Sequence, residues 1–292
     1  MQLVLIGKFN TLKIVRKASF GYYLDAETGK TKDDILLPKS NDEEDLLSVG
    51  DEVNAFIYKD SKDRLIATLK APLATVESIA YLKVVSNTSF GSFIDIGLER
   101  DVLVPLSEQK YPLLPEKYYL FYIYLDKTNR IAATTDIDKY LLTIADTKTE
   151  QIEQKYALGS EVTGIVYGFQ TNDSAMIAVD NIYRGVILKN EYYINLYPGD
   201  ELKLRIKNIY EDGKLSLTPR KTPKYERISL EESILNYLKT HNGFMPYNDK
   251  SSPEDIRRVF HESKNYFKNA LGGLMKRNLI TQNEKGTKLK KL

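Results

Sequence analysis

Leu82-Lys83-Val84-Val85-Ser86-Asn87-Thr88-Ser89-Phe90-Gly91-Ser92-Phe93-Ile94-Asp95 lies, at a shift of 70 residues, over Leu12-Lys13-Ile14-Val15-Arg16-Lys17-Ala18-Ser19-Phe20-Gly21-Tyr22-Tyr23-Leu24-Asp25. Half of these positions are identical, and most of the others are conservative. An internal repeat of this kind governs the reading of the whole chain. The match continues downstream, where Ile35-Leu36-Leu37-Pro38-Lys39-Ser40 corresponds to Val102-Leu103-Val104-Pro105-Leu106-Ser107. Each copy ends in a strand pair. The first copy has Glu52-Val53-Asn54-Ala55-Phe56-Ile57-Tyr58 and Arg64-Leu65-Ile66-Ala67-Thr68. The second has Tyr119-Leu120-Phe121-Tyr122-Ile123-Tyr124 and Arg130-Ile131-Ala132-Ala133-Thr134.

A fainter third copy follows. Residues 159–166 read as its first strand, 175–179 as the second and 185–189 as the third. Gly199-Asp200-Glu201-Leu202 echoes Gly50-Asp51-Glu52-Val53, and Lys214-Leu215-Ser216-Leu217-Thr218 closes the unit. Five short strands per unit, rich in Val, Ile, Tyr and Phe and separated by turn residues, favour a small barrel over a parallel sheet. A unit near 70 residues suits the five-stranded OB-type barrel. Gly21 and Gly91 interrupt strand patterns, where glycine permits a bend, a bulge or a close backbone approach.

The period changes after Pro219 and Pro223. Leu230, Ile234, Leu235 and Leu238 have helical spacing, with Ser229 as the expected N-cap. Ser252-Pro253-Glu254-Asp255 carries a cap, a proline at the first helical position and acids in the first turn. Ser263 caps a third expected helix over 264–277, in which Gly272-Gly273 suggests close helix packing. A hairpin over 279–289 completes a winged-helix pattern. The chain thus reads as multidomain and mainly β: three tandem OB-fold barrels at 1–70, 71–146 and 147–222, then an α+β winged-helix domain at 223–292.

Composition narrows the chemistry. The 292 residues include no Cys and only two His, His241 and His261. Disulfide frameworks, Cys-ligated metal sites, thiol nucleophiles and His-based triads therefore lack raw material. No P-loop, dinucleotide fingerprint or nucleophile elbow is present. The expectation is a protein that is not an enzyme and needs no cofactor or metal. No apolar run approaches the ~20 residues that span a bilayer, and the opening residues show no secretory signal, so a cytoplasmic location is expected.

The net charge is +2 over the chain. The first unit carries 11 basic against 12 acidic residues, the second 7 against 10, the third 10 against 10, and the last 14 against 8. The positive charge is thus concentrated in the last unit. Arg257, Arg258, Lys264, Lys268, Lys276 and Arg277 lie on or beside its helix-turn-helix, and Lys285, Lys288, Lys290 and Lys291 on its wing. Such a patch is an electrostatic footprint for phosphate, to be weighed against a solvated helix face. Among 21 Tyr and 10 Phe, Phe20 and Tyr23 match Phe90 and Phe93. On an exposed OB face these rings would be stacking platforms for unpaired bases. Strand periodicity alone favours the barrel core for each of them.

The segment Ser89-Phe90-Gly91-Ser92-Phe93-Ile94-Asp95 with Val102-Leu103-Val104-Pro105-Leu106-Ser107 resembles the S1 RNA-binding motif. That resemblance implies RNA-facing rings at Phe20, Tyr23, Phe90 and Phe93. The family's third-strand His falls on Pro38 and Pro105, and roughly on Leu188, so it is missing from all three copies. In the third copy the ring positions fall on Asp173 and Met176. The whole chain resembles the conserved virulence factor B family through residues 7–25, Tyr183-Arg184-Gly185-Val186-Ile187, Glu211-Asp212-Gly213-Lys214, Ser251-Ser252-Pro253-Glu254-Asp255-Ile256 and Ser263-Lys264. This resemblance implies a cytoplasmic, non-enzymatic RNA-binding protein that influences gene expression, and the favoured reading is a binder of single-stranded RNA.

Because the ring-rich copies are net acidic, charge is weighted over rings. The third unit and the winged helix are expected to form the main RNA surface, with Tyr183, Arg184, Tyr192 and Tyr193 as stacking and phosphate groups. Two rival readings stay open. One is a DNA-binding regulator with residues 264–277 in a major groove. The other is an interaction module that docks on RNA polymerase, the ribosome or a nuclease.

Overall fold

A computed structural model of the chain describes residues 4–39, 47–220 and 223–290. Residues 1–3, Ser40 and Lys291, named above, lie outside them.

The first unit contains β1 (Phe9–Ala18), β2 (Gly21–Leu24), β3 (Ile35–Pro38), β4 (Glu52–Lys59) and β5 (Leu65–Thr68). They close into a barrel in the order β1-β2-β3-β5-β4. All neighbours are antiparallel except β3 and β5, which meet in parallel at Leu36 and Ile66. The second unit repeats this with β6 (Ile79–Asn87), β7 (Gly91–Ile94), β8 (Val102–Pro105), β9 (Tyr118–Leu125) and β10 (Ile131–Thr134). Its parallel contact joins Leu103 and Ala132. The third contains β11 (Glu161–Phe169), β12 (Ala175–Val179), β13 (Tyr183–Ile187), β14 (Glu201–Ile209) and β15 (Leu215–Thr218), closed in the same order.

Alternation builds each core. Leu12, Ile14, Leu24, Ile35 and Ile57 point inward in the first barrel. Leu82, Val84, Ile94, Val102 and Ile123 do so in the second. The long first strand of each barrel carries one register irregularity, at Ile14/Arg16, Val84/Ser86 and Val166/Gly168. A bulge there lets one strand bend enough to pair on both edges. The bend therefore lies opposite Tyr23-Leu24 and Phe93-Ile94, not at the glycines. At Gly21 and Gly91 the chain needs close approach: a Cβ would lie 2.2 Å from the Leu37 carbonyl oxygen and 2.4 Å from that of Val104.

The third unit departs from the expected spans. Its first strand begins at Glu161 and continues to Phe169, and its third sits at Tyr183–Ile187, two residues early. A short helix, α1 (Glu150–Lys155), precedes it. The segment between β10 and α1 docks on the third barrel. Leu142 makes a parallel bridge with Tyr183, and Ile144 enters the third barrel's core. Leu120, Ile137 and Leu141 pack with Ile165, Tyr167 and Ala178 in an apolar cluster shared by barrels two and three.

The last unit contains α2 (Pro223–Thr240), β16 (Phe244–Met245), α3 (Pro253–Phe260), α4 (Lys264–Lys276), β17 (Ile280–Asn283) and β18 (Gly286–Leu289), with sheet order β16-β18-β17. Leu230, Ile234, Leu238, Ile256, Phe267 and Leu271 form its core. The Ser252 and Ser263 hydroxyls accept from the backbone N–H groups of Asp255 and Tyr266, as expected of caps. Ser229 is not a cap. The helix starts at Pro223, whose fixed φ suits a first turn, and Ser229 lies inside it. A Cβ on Gly273 would sit 2.0 Å from Glu231 Oε1, so α4 meets α2 closely there, whereas Gly272 faces open space. Among the described residues no helix is long and apolar enough to cross a membrane.

Candidate nucleic-acid interface

Phe20 and Phe90 occupy the turns before β2 and β7, so strand alternation does not apply to them. They are 55% and 57% exposed, and the core reading fails for both. Three residues on, Tyr23 and Phe93 are half-buried strand residues. Each pair shares one face, with rings edge to face at centroid separations of 6.2 Å and 6.0 Å. The paired register sets Gly21 against Pro38 and Gly91 against Pro105. The prolines at the missing His positions therefore flank the rings without adding a titrating group. Arg16, across the bulge, lays its guanidinium 3.7 Å from the Tyr23 ring centroid. Ser86 holds the matching register position in barrel two.

A groove runs beside each ring pair. In barrel one it measures about 630 Å³ and is lined by Tyr23, Leu36, Ile66, Lys32 and Arg64. In barrel two it measures about 390 Å³ and includes Phe90, Phe93, Leu103, Arg100 and Arg130. The matching groove of barrel three, about 680 Å³, is lined by Val186, Leu188, Tyr210 and Lys214. Arg64, Arg130 and Lys214 thus recur at one place, just before the fifth strand. In the sequence alone these residues read only as the starts of closing strands. Their recurrence in all three copies is the signal that would have found them. Arg64 reaches Asp60 through two nitrogens at 2.9 and 2.7 Å. Burial raises the Asp60 pKa, but these and backbone hydrogen bonds outweigh it and hold the carboxyl below its usual range.

The third-barrel candidates fare differently. Tyr183 is buried in the barrel core, its hydroxyl 2.9 Å from Thr147 Oγ1. Tyr192 is buried in the same core and donates to the Asp173 carbonyl. Neither ring can stack on a base, because each is buried in the barrel core. Arg184 donates from Nε to the Asp138 carbonyl at 3.0 Å and so ties the inter-barrel segment to β13. Tyr193 is half-buried between two cations: the Arg220 guanidinium lies 4.9 Å from its centroid and that of Arg257 lies 5.4 Å away. Arg220 also lies 5.4 Å from the Tyr266 ring of α4. Tyr193 and Arg257 therefore meet where barrel three joins the winged helix. Tyr210, 37% exposed and lining the groove, is a ring that sequence reasoning overlooked.

On the winged helix, Arg258 pairs with Asp255 at 2.7 Å. Arg277 pairs with the buried Glu231 at 2.5 Å, so its charge is partly neutralised. Lys264, Lys268 and Lys276 form no ion pair among the described residues, and the last two are exposed. Lys285, Lys288 and Lys290 line a recess of about 660 Å³ with Asn242, Gly243 and Phe244. His241 stacks on Tyr237 at 3.9 Å, and His261 is the left-handed C-cap of α3. Among the described residues no three His, Asp or Glu are grouped to hold a metal.

Known proteins share this organisation. The S1 domain model matches residues 6–70, the first barrel, and the CvfB-like winged helix domain model matches residues 232–289. YitL of Bacillus subtilis (strain 168) is 37% identical over 98% of this chain and 94% of its own. Conserved virulence factor B of Staphylococcus aureus (strain USA300) is 29% identical over 94% of this chain and 91% of its own. The chain belongs to the conserved virulence factor B family. A crystal structure of a multidomain protein with nucleic acid binding domains from Streptococcus pneumoniae is 27% identical, covers 98% of both chains and superposes with a TM-score of 0.48. Within the family frame, the segment Tyr183-Arg184-Gly185 is structural. It packs a core ring, anchors the inter-barrel segment and leaves no room for a Cβ at Gly185, which would lie 2.5 Å from Leu217.

Proposed function

We propose that this protein binds single-stranded RNA and acts through that binding on gene expression, without catalytic chemistry of its own. The observation that carries the reading is the pair of exposed ring platforms, Phe20 with Tyr23 and Phe90 with Phe93, each above a groove with arginine at its edge. Base stacking needs such a face, and a duplex does not offer its bases to it. Phosphate attraction dominates non-specific affinity. The main affinity is therefore assigned to the third barrel and the winged helix, through Lys264, Lys268, Lys276 and the wing lysines, with Tyr210 in place of the buried Tyr183 and Tyr192. The first two barrels add stacking sites.

The test is a salt-titrated binding assay of the full chain against single-stranded RNA, single-stranded DNA and duplex DNA. Expected is the tightest binding to single strands. Charge reversal at Lys264 and Lys268 should weaken it more than alanine at Phe20 and Phe90. A second reading rests on the same exposed lysines of α4: a duplex-DNA reader. It predicts that duplex DNA wins at every salt concentration and that the ring variants leave binding untouched.

A further inference from the structure

We infer that the groove between the first two barrels is one nucleotide site built by both, in which Lys59 of barrel one takes the phosphate of a base stacked on Phe90 and Phe93 of barrel two. This rests on the stacking reading above and deepens it. The two ring grooves differ in construction. The one beside Tyr23 is lined by the first barrel's own residues, between Val4 and Ile66. The one beside Phe90 and Phe93 is walled on its far side by Tyr58, Lys59 and Ser61 of barrel one.

A clasp holds that wall in place. Arg130 reaches across to Asp63 with Nε and Nη2, at 2.6 and 2.7 Å from the two carboxylate oxygens. Lys59 Nζ donates to the Thr128 carbonyl at 2.5 Å. The equivalent arginine of barrel one, Arg64, turns back on Asp60 in its own turn. The same sequence position thus serves one barrel internally and joins the other to its neighbour.

The lining carries three cations, Lys59, Arg100 and Arg130, against three carboxylates, Asp60, Asp101 and Asp126, and the pairing around it leaves two of the cations without an ion partner. Asp60 is held by Arg64, Asp63 by Arg130, and Asp126 by the N–H groups of its own turn. Burial, and then Asp95 nearby, raise the pKa of the Asp101 carboxyl. Lys59 and Arg100 pair with no carboxylate among the described residues. Two rings with two cations outside any ion pair beside them match a nucleotide: a flat base and an anionic linkage.

The experiment is a double-mutant cycle on the full chain with labelled single-stranded oligoadenylate, read across a salt series. Lys59→Ala should weaken binding and reduce the salt slope by about one. Its effect should shrink or vanish in a Phe93→Ala background and multiply independently in a Tyr23→Ala background. Equal Lys59 effects in the two backgrounds, or none in either, overturn the shared site while ring binding stands. If Phe90→Ala and Phe93→Ala leave binding unchanged, the stacking reading itself is wrong.

Discussion

Phe20 and Phe90 hold large apolar rings in water at turns where neither enters a core. Losing such a ring should cost the fold little, since surface substitutions usually stay within about 0.5 kcal/mol. Phe20→Ala and Phe90→Ala should therefore leave the unfolding midpoint in place and weaken single-strand binding by ~1–3 kcal/mol per stacked base, measured by fluorescence anisotropy. Tyr183 presents the opposite case. Its hydroxyl meets Thr147 inside the third barrel, so Tyr183→Phe should cost about 1 kcal/mol of stability and leave RNA affinity unchanged. Sequence spacing treated all these rings alike. It could not separate them because exposure depends on whether a residue lies in a turn or in a strand, a difference of one position. Tyr183 and Tyr192 are candidates through their place in the unit beside the basic winged helix, and that place says nothing of their burial.

Among the elements, β2–β3 and its counterpart β7–β8 depend on the glycine that lets them close. Gly91→Ala sets a Cβ against the backbone carbonyl of Val104 and should destabilise the chain by about 1–3 kcal/mol, as overpacking does, by thermal or urea unfolding. The turn at Lys189–Glu191 is fixed by charge instead. Glu191 accepts from Lys207 at 2.5 Å and from Thr218 at 2.9 Å. Burial raises its pKa, but these partners outweigh burial and hold the carboxyl below its ordinary 4.5. A depressed carboxylate pKa stabilises the fold above the unfolded value, and that contribution disappears as pH falls through the folded one. The unfolding midpoint should thus drop below about pH 4.5, and Glu191→Gln should flatten that part of the profile. The strand sets of the barrels and the capped helices α3 and α4 were legible from residue pattern. The start of α2 was not, because Ser229 offers a cap with acids after it while Pro223 offers an earlier start. The two-residue strand β16 has no periodicity to read.

Across the whole molecule, the barrels are joined by two unlike contacts. Barrels one and two meet through ion pairs and hydrogen bonds, among them Arg130 with Asp63 and Lys8 with Glu77. Barrels two and three share an apolar cluster, and the segment between them is held to barrel two by a ring stack of Tyr140 on Tyr122, nearly parallel at 3.3 Å. Neither contact shows in the sequence, because inter-unit contacts come from scattered residues with no repeat spacing. The charge split, by contrast, was fully readable. It implies that log affinity for single strands falls with log salt at a slope near −0.7 per phosphate contact. Charge reversal at both Lys264 and Lys268 should make the slope shallower by about two such contacts, as seen in the same salt series. The unlike contacts also bear on synthesis. When the second barrel leaves the ribosome, Leu120, Ile137 and Leu141 have no partner, since Ile165, Tyr167 and Ala178 belong to strands made later. At translation rates of roughly 5–20 residues per second, completing the third barrel takes on the order of 4–15 s. During that interval the nascent chain presents a wet, sticky face toward chaperones and toward its own neighbours on a polysome, whereas the polar contact between the first two barrels forms without any such exposure.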